Sequence, residues 1–342
     1  MRVAVWHRND DIQIVEKPIP KIGRGELLMK VKASGICGTD VMEWYRIDRA
    51  PLVLGHEVAG DVVEVGEDVD DYKAGDRVVA AHHVSCNNCP HCYSGHETVC
   101  DTLRSTNFDP GGFSEYVRLP SINVEKGVFK LDDAISYDEG TFVEPLACVL
   151  RGQRLAGQGP GKSIFVIGSG ISGLLHVKLA AALGSGMIMA SDISDYRLKK
   201  AIDFGAEKVF KPDECTPDNI RKVNNGRLAD IVIICAGAPS VTAQALSLVE
   251  RGGTVLFFAA GAPDAKIDTP INEIFWRNEV TLTSSYAGSQ SDHEIALELI
   301  RSGRLDLKDL ITKRIALEEI EDGFRQVLEA DRSVKIIVDP EI

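Results

Sequence analysis

Fifteen consecutive residues, CNNCPHCYSGHETVC, carry Cys86, Cys89, Cys92 and Cys100 in the spacing C-x2-C-x2-C-x7-C. Four thiolates this close can wrap one Zn2+ tetrahedrally and leave no open position, which is the mark of a structural site. An iron–sulfur cluster is the rival chemistry, because close cysteine runs also hold clusters. Asparagines, a proline and charged residues fill the gaps, which argues against free core thiols. The interleaved His91 and His96 read as solvated loop residues. A second set of donors is dispersed: Cys37 in SGICGTD, His56 and Glu57 in LGHEVAG, and Glu144 in FVEPLAC. Thiolate, imidazole and carboxylate together suit zinc, and ligands from separate segments with a free coordination position suit a catalytic metal. Each also has a structural reading: Cys37 as a core thiol, His56 as a buried turn residue, Glu144 as a helix-starting acid before Pro145. Spacing alone leaves both readings open.

A third pattern lies in residues 164–192, IFVIGSGISGLLHVKLAAALGSGMIMASD. Gly168, Gly170 and Gly173 follow a β-branched and aromatic run in the spacing G-x-G-x-x-G, and Ile171 opens the helix-length stretch behind them. The first glycine permits a tight turn, the second lets backbone approach a pyrophosphate, and the third lets helix pack on strand. The anion would sit on unpaired N–H groups at the helix start. Asp192 ends the next strand, about 20 residues on, where an acid accepts hydrogen bonds from the adenosine ribose and repels a 2′-phosphate. The reading is NAD over NADP. Arg197 is placed to reach the same ribose, or to be a solvated helix residue. A glycine-rich turn without a nucleotide is the bland alternative.

The elements that must position these groups fall into two patterns. Residues 1–146 hold short alternating apolar runs (VAVW, IQIVE, VAGDVVEVG, DRVVAA) broken by glycine and proline, which predicts an antiparallel, barrel-like β domain. Over residues 147–287, expected strands at 163–167, 187–191, 208–210, 230–235, 253–258 and 281–285 alternate with helix-length segments, which predicts a doubly wound parallel sheet. A helix over 240–250 is expected to open at Pro239-Ser240 and to stop at Gly252-Gly253. Residues 288–342 are expected to form helices at 291–302 and 317–330 and a strand at 334–338 that returns to the first domain.

The chain has 342 residues, more than one typical core needs. With 38 basic and 51 acidic residues its formal net charge is −13, which disfavours nucleic acid and anionic membranes as partners. No apolar run approaches the roughly 20 residues that span a bilayer. The N-terminus, MRVAVWHRND, lacks a signal-peptide core. A cytoplasmic protein is expected, so its eight cysteines read as thiols or metal ligands before disulfides.

The stretch GHEVAGDVVEVGEDV, with Gly55, His56, Glu57, Gly60, Gly66 and Val69 in place, resembles the signature of the zinc-containing medium-chain alcohol dehydrogenases. GICGTD, the four-cysteine lobe, EPLAC and GSGISG follow in that family's order over nearly the whole chain. Glutamate at position 144, where liver-type enzymes carry a cysteine ligand, is similar to the polyol, sugar and threonine dehydrogenase branch. The resemblance implies an α/β protein with a GroES-like catalytic domain, a Rossmann domain, and a cleft between them holding zinc and nicotinamide. It implies one structural zinc on the four cysteines and one catalytic zinc on Cys37 and His56, with Glu57 and Glu144 competing for the third place. In that family the zinc acts as a Lewis acid that lowers the substrate hydroxyl's pKa toward about 7, as it does for water, and hydride passes to the nicotinamide. Thr39 matches the hydroxyl that takes the alcohol's proton. Met42 departs from the pattern, because many relatives carry a relay histidine there; Glu57, water or the cofactor ribose would then take the proton on.

The substrate implied is a small alcohol. A polyol or sugar alcohol is favoured because acidic groups such as Glu144 suit several hydroxyls, and L-threonine is the alternative. Thr39, Trp44, Tyr45 and Phe108 are candidate pocket residues, with core or interface roles as the alternative for the aromatics. Homo-oligomers, dimers or tetramers, are expected through the sheet edge at residues 281–286. Two different readings are a non-catalytic NAD-binding redox sensor, which would show a damaged ligand set, and a zinc-free quinone or enoyl reductase, which would not need Cys37, His56 and Glu144 together.

Overall fold

A computed structural model describes residues 1–238, 240–267, 271–330 and 332–342, apart from the side chain of Glu273. The chain divides into two units, Met1–Ala147 with Ala287–Ile342, and Cys148–Tyr286. In the first, a seven-stranded sheet among the described residues runs in the order Ile311–Ala316, Lys335–Asp339, Leu27–Gly35, Glu57–Val65, Arg77–Ala81, Val128–Lys130, and Tyr116–Leu119 pairs with Leu27–Gly35. Its pairings are antiparallel except between Ile311–Ala316 and Lys335–Asp339. Leu27, Met29, Val31, Val58, Val62, Val78, Ala80, Val117 and Leu119 fill one core. Alternate side chains of a strand share a face, so the short apolar runs of the sequence supply this core from several strands at once. Trp6, Phe113, Phe324, Ile336 and Val338 build a second cluster, to which the last strand contributes.

Among the described residues the second unit holds six parallel strands in the order Lys208–Phe210, Ile188–Ser191, Ile164–Ile167, Ala229–Ile234, Val249–Phe257, Thr281–Ser284. This is the doubly wound order, with its switch point between Ile164–Ile167 and Ala229–Ile234. All four residues of Ile164–Ile167 and of Ile188–Ser191 are buried, as a parallel sheet covered on both faces requires. Both fold expectations hold.

Two element boundaries differ from expectation. The helix runs Val241–Leu248 and the next strand already begins at Val249, so Gly252 and Gly253 lie inside the strand. Gly252 has φ +69° and the pairing with Ala229–Ile234 is irregular there, so the glycines mark a bulge and not a helix stop. Pro239, the expected helix opener, lies outside the described residues. The expected helix over 317–330 is a 3-10 turn, Leu317–Glu319, followed by the helix Ile320–Glu329, because the Glu319 carboxylate accepts the Ala316 N–H at 2.9 Å and caps the turn.

His176 lies fully buried on the helix Ile171–Ala182. Gln153 Nε2 sits 3.2 Å from its Nδ1, and the ring meets Phe258 edge-on at 4.5 Å. Burial pushes its pKa down from 6.5 to about 3. The unfolded chain takes up this proton near pH 6.5 and the folded chain only near pH 3, so stability is full above the first value and lost as pH falls through the window. Between pH 7 and pH 5 the wild type should lose about 2 kcal/mol more stability than His176→Leu in urea unfolding. Equal pH dependence of the two proteins would contradict this.

Candidate metal and cofactor sites

The thiols of Cys86, Cys89, Cys92 and Cys100 converge within 4.8 Å of one another. Neighbouring sulfurs stand 3.5 to 4.0 Å apart, and no disulfide links the cysteines among the described residues. Short helices Pro90–Tyr93 and Asp101–Ser105 hold the lobe's turns, and His91 and His96 point outward as exposed residues. Four convergent thiols fit a closed tetrahedral metal site.

The second donor set assembles at the ends of two paired strands. Leu27–Gly35 leads into Cys37, and Glu57–Val65 begins one residue after His56. The ligand atoms of Cys37, His56 and Glu57 all lie within 4.8 Å of one another. Glu144, on the first turn of the helix Val143–Leu155, stands outside that group among the described residues and borders a narrow internal gap with Val58, Val79, Phe129 and His293. Thr39 donates its backbone N–H (3.5 Å) and its hydroxyl (3.3 Å) to Cys37 Sγ, which stabilises negative charge on that sulfur. Asp40, wholly buried, accepts the Cys37 N–H at 3.0 Å and sets its other oxygen 3.3 Å from His56 Nδ1. A carboxylate behind a histidine fixes its tautomer and raises its basicity as a ligand. Burial opposes a charged His56, but the charges of Asp40 and Cys37 outweigh it and hold its pKa well above the ordinary value. A place that favours positive charge this strongly, lined by sulfur, imidazole and carboxylate, fits a divalent cation.

Sequence reasoning did not single out Asp40, His82, Arg46 or Lys335. Lys335, fully buried on the last strand, donates to the equally buried Glu57 carboxylate and, at 3.2 Å, to the Ile36 carbonyl. His82 lies with its ring 4.8 Å from that of His56 and 3.8 Å from that of His83. Burial and the neighbouring positive groups hold its pKa well below the ordinary value. Asp40 stood inside the quoted motif SGICGTD and had a signal, an acid three residues past a cysteine. Lys335 had none, because 278 residues separate it from Glu57. Of the expected pocket aromatics, Trp44 and Tyr45 are exposed, whereas Phe108 is buried in the sheet core and meets His82 at 6.1 Å.

In the second unit, Gly168 turns out of the strand with φ +93°. A Cβ on Gly173 would stand 1.9 Å from the Gly168 carbonyl oxygen, so helix and strand approach as only glycine allows. Gly170 caps the helix without a side chain, and a Cβ placed there would meet the Arg197 guanidinium at 3.8 Å. The Asp192 carboxylate accepts the N–H groups of Ser169 (2.7 Å) and Ser194 (2.8 Å) and so ties the glycine turn to the next strand. Each oxygen keeps lone pairs for further donors. The cradle, its helix N-terminus and the acid beside it fit a dinucleotide.

These two units and donor sets define a metal-dependent, nicotinamide-linked dehydrogenase. Comparisons with known proteins agree: residues 23–132 match the model of the alcohol dehydrogenase GroES-like domain, and residues 172–302 that of the zinc-binding dehydrogenases. The chain is 30% identical over 352 residues to sorbitol dehydrogenase of Bacillus subtilis (strain 168), covering 99% of this chain and 97% of the relative. It is 33% identical over 331 residues to L-threonine 3-dehydrogenase of Bacillus licheniformis, covering 94% of each. A solved zinc-binding dehydrogenase of Sinorhizobium meliloti 1021, bound to NADP, has a TM-score of 0.87 at 30% identity over 99% of both chains. The chain belongs to the zinc-containing medium-chain alcohol dehydrogenases.

Removing the Lys335 ammonium strands a buried carboxylate, so Lys335→Met should cost about 3–5 kcal/mol in urea unfolding. Adding Glu57→Gln should recover most of that loss. A Lys335→Met protein as stable as the wild type would show that the pair does not hold the site together.

Proposed function

We propose that this chain oxidises a secondary alcohol, a polyol or sugar alcohol, to the ketone and passes hydride to NAD. The convergence of Cys37, His56 and Glu57 on one point carries the reading. Those three residues would hold the catalytic zinc, with Glu144 as the alternative third ligand, and Cys86, Cys89, Cys92 and Cys100 would hold the structural one. When bound, the catalytic ion supplies Lewis acidity to the substrate hydroxyl and the nicotinamide takes up hydride. The chain's own residues do the rest. Thr39, whose hydroxyl lies against Cys37 Sγ, takes the alcohol's proton, and because Met42 offers no acceptor the proton leaves by Glu57 or solvent. Asp40 keeps His56 in one tautomer. Lys335 orients the Glu57 carboxylate.

The metal chemistry is assigned to residues 1–146 with the returning 288–342, and the cofactor to 147–287. Gly168, Gly170, Ile171 and Gly173 would cradle the pyrophosphate, and Asp192 with Arg197 the adenosine ribose, which favours NAD over NADP. The sorbitol dehydrogenase relative supports the polyol class, and the threonine dehydrogenase relative marks L-threonine as the second candidate. Thr281–Ser284 forms an edge of the six-stranded sheet and Tyr286 beside it is exposed, which supports a homo-oligomer through that edge. Cysteines that serve as zinc ligands and form no disulfide among the described residues support a reducing, cytoplasmic setting.

Zinc-loaded protein should form NADH from one or more of sorbitol, xylitol, 2,3-butanediol and L-threonine, with higher kcat/KM for NAD than for NADP. Cys37→Ser should lower kcat/KM at least about a thousandfold, equivalent to several kcal/mol of lost stabilisation, with an unchanged circular dichroism spectrum. Full activity in Cys37→Ser would overturn the catalytic assignment.

A further inference from the structure

Two guanidinium groups that share the Tyr45 ring, those of Arg46 and Arg49, have no carboxylate within ion-pair distance among the described residues. Elsewhere in the first unit Arg2, Arg8, Arg118, Arg301, Arg314 and Arg325 are matched by acids, whereas the exposed Arg104, Arg304 and Arg332 are not, among the described residues. Arg46 instead gives its Nε to the Thr39 carbonyl at 3.3 Å, sets Nη2 3.5 Å from the Thr39 hydroxyl, and lies 4.7 Å over the Tyr45 ring. Arg49 lies 5.1 Å from the same ring and donates to the Tyr45 carbonyl at 3.3 Å. The Tyr45 face thus braces both cations, which stacking on an aromatic does well.

Arg46 thus lies against Thr39, two residues from Cys37, and Arg49 is held next to it on the same aromatic ring. A neutral polyol uses none of this charge. A guanidinium fork with donors to spare and a second cation beside it match a planar or tetrahedral oxyanion.

The geometry points to a substrate that carries an anionic group, phosphate or carboxylate, on the same carbon chain as the secondary alcohol, with Arg46 and Arg49 binding the anion. This rests on the reading of Cys37 and His56 as the reacting centre and narrows its substrate class. The expected partner is therefore a polyol phosphate or a hydroxy acid, and the arms of one experiment separate them.

Zinc-loaded wild type is assayed with sorbitol, sorbitol 6-phosphate, D-gluconate and L-threonine. At least one anionic compound should exceed sorbitol about tenfold in kcat/KM, and which one it is identifies phosphate or carboxylate. In Arg46→Gln the ratio of that compound's kcat/KM to sorbitol's should fall about 10- to 100-fold, mostly through KM, the worth of a charge-assisted hydrogen bond. Arg49→Gln should give a smaller fall in the same ratio. The same compound should raise the Tm of the wild type and not that of Arg46→Gln, a readout that does not need turnover. Sorbitol as the best substrate, an equal loss for neutral and anionic substrates in Arg46→Gln, or no Tm shift with any anion would overturn the inference. Thermal stabilisation without turnover of any alcohol would leave the anion site standing and strike the reaction instead.

Discussion

One buried ion pair organises the first unit. Lys335 and Glu57 are both inaccessible to solvent, 278 residues apart, and each is intolerable without the other. The ammonium also holds the Ile36 carbonyl, and the Ile36 N–H donates to the Ile336 carbonyl at 3.0 Å. The last strand therefore clamps the backbone immediately before Cys37 and the carboxylate immediately after His56. This explains in physical terms why the chain, after its parallel sheet, returns to pair Ile337 and Val338 with Gly35 and Ser34. Cys37 and His56 lie on different segments, and the strand that comes last in sequence fixes both.

Charge around this clamp is balanced by type. Cys37, Asp40 and Glu57 gather negative charge at one place, and Lys335 is committed to one of them. What is left favours a cation, which His56 registers as a raised pKa. Arg46 sits one layer further out, bonded to Thr39 and not to an acid. Donors that suit a metal and a guanidinium without an acid partner among the described residues therefore stand on either side of Thr39.

What could be read in the sequence was what spacing encodes locally. The four cysteines within fifteen residues, and Gly168, Gly170 and Gly173 between a β-branched run and a helix, needed no tertiary knowledge. The strands of the second unit were legible because parallel strands buried on both faces are continuous apolar runs. The start of Val249–Phe257 was not, because two glycines read as a stop when they mark a bulge within a strand. Lys335 was invisible because a lysine in a final strand carries no local sign of a partner 278 residues away. The choice between Glu57 and Glu144 was equally tertiary: both flank apolar runs, and only the folded chain puts one of them with Cys37 and His56.

The central claim is that two separate donor sets each hold a zinc ion. Metal analysis of the purified chain beside Cys37→Ser tests it most directly. The wild type should hold about two zinc ions per chain and Cys37→Ser about one, the survivor lying on Cys86, Cys89, Cys92 and Cys100. One zinc in the wild type, or the same content in both proteins, would contradict it.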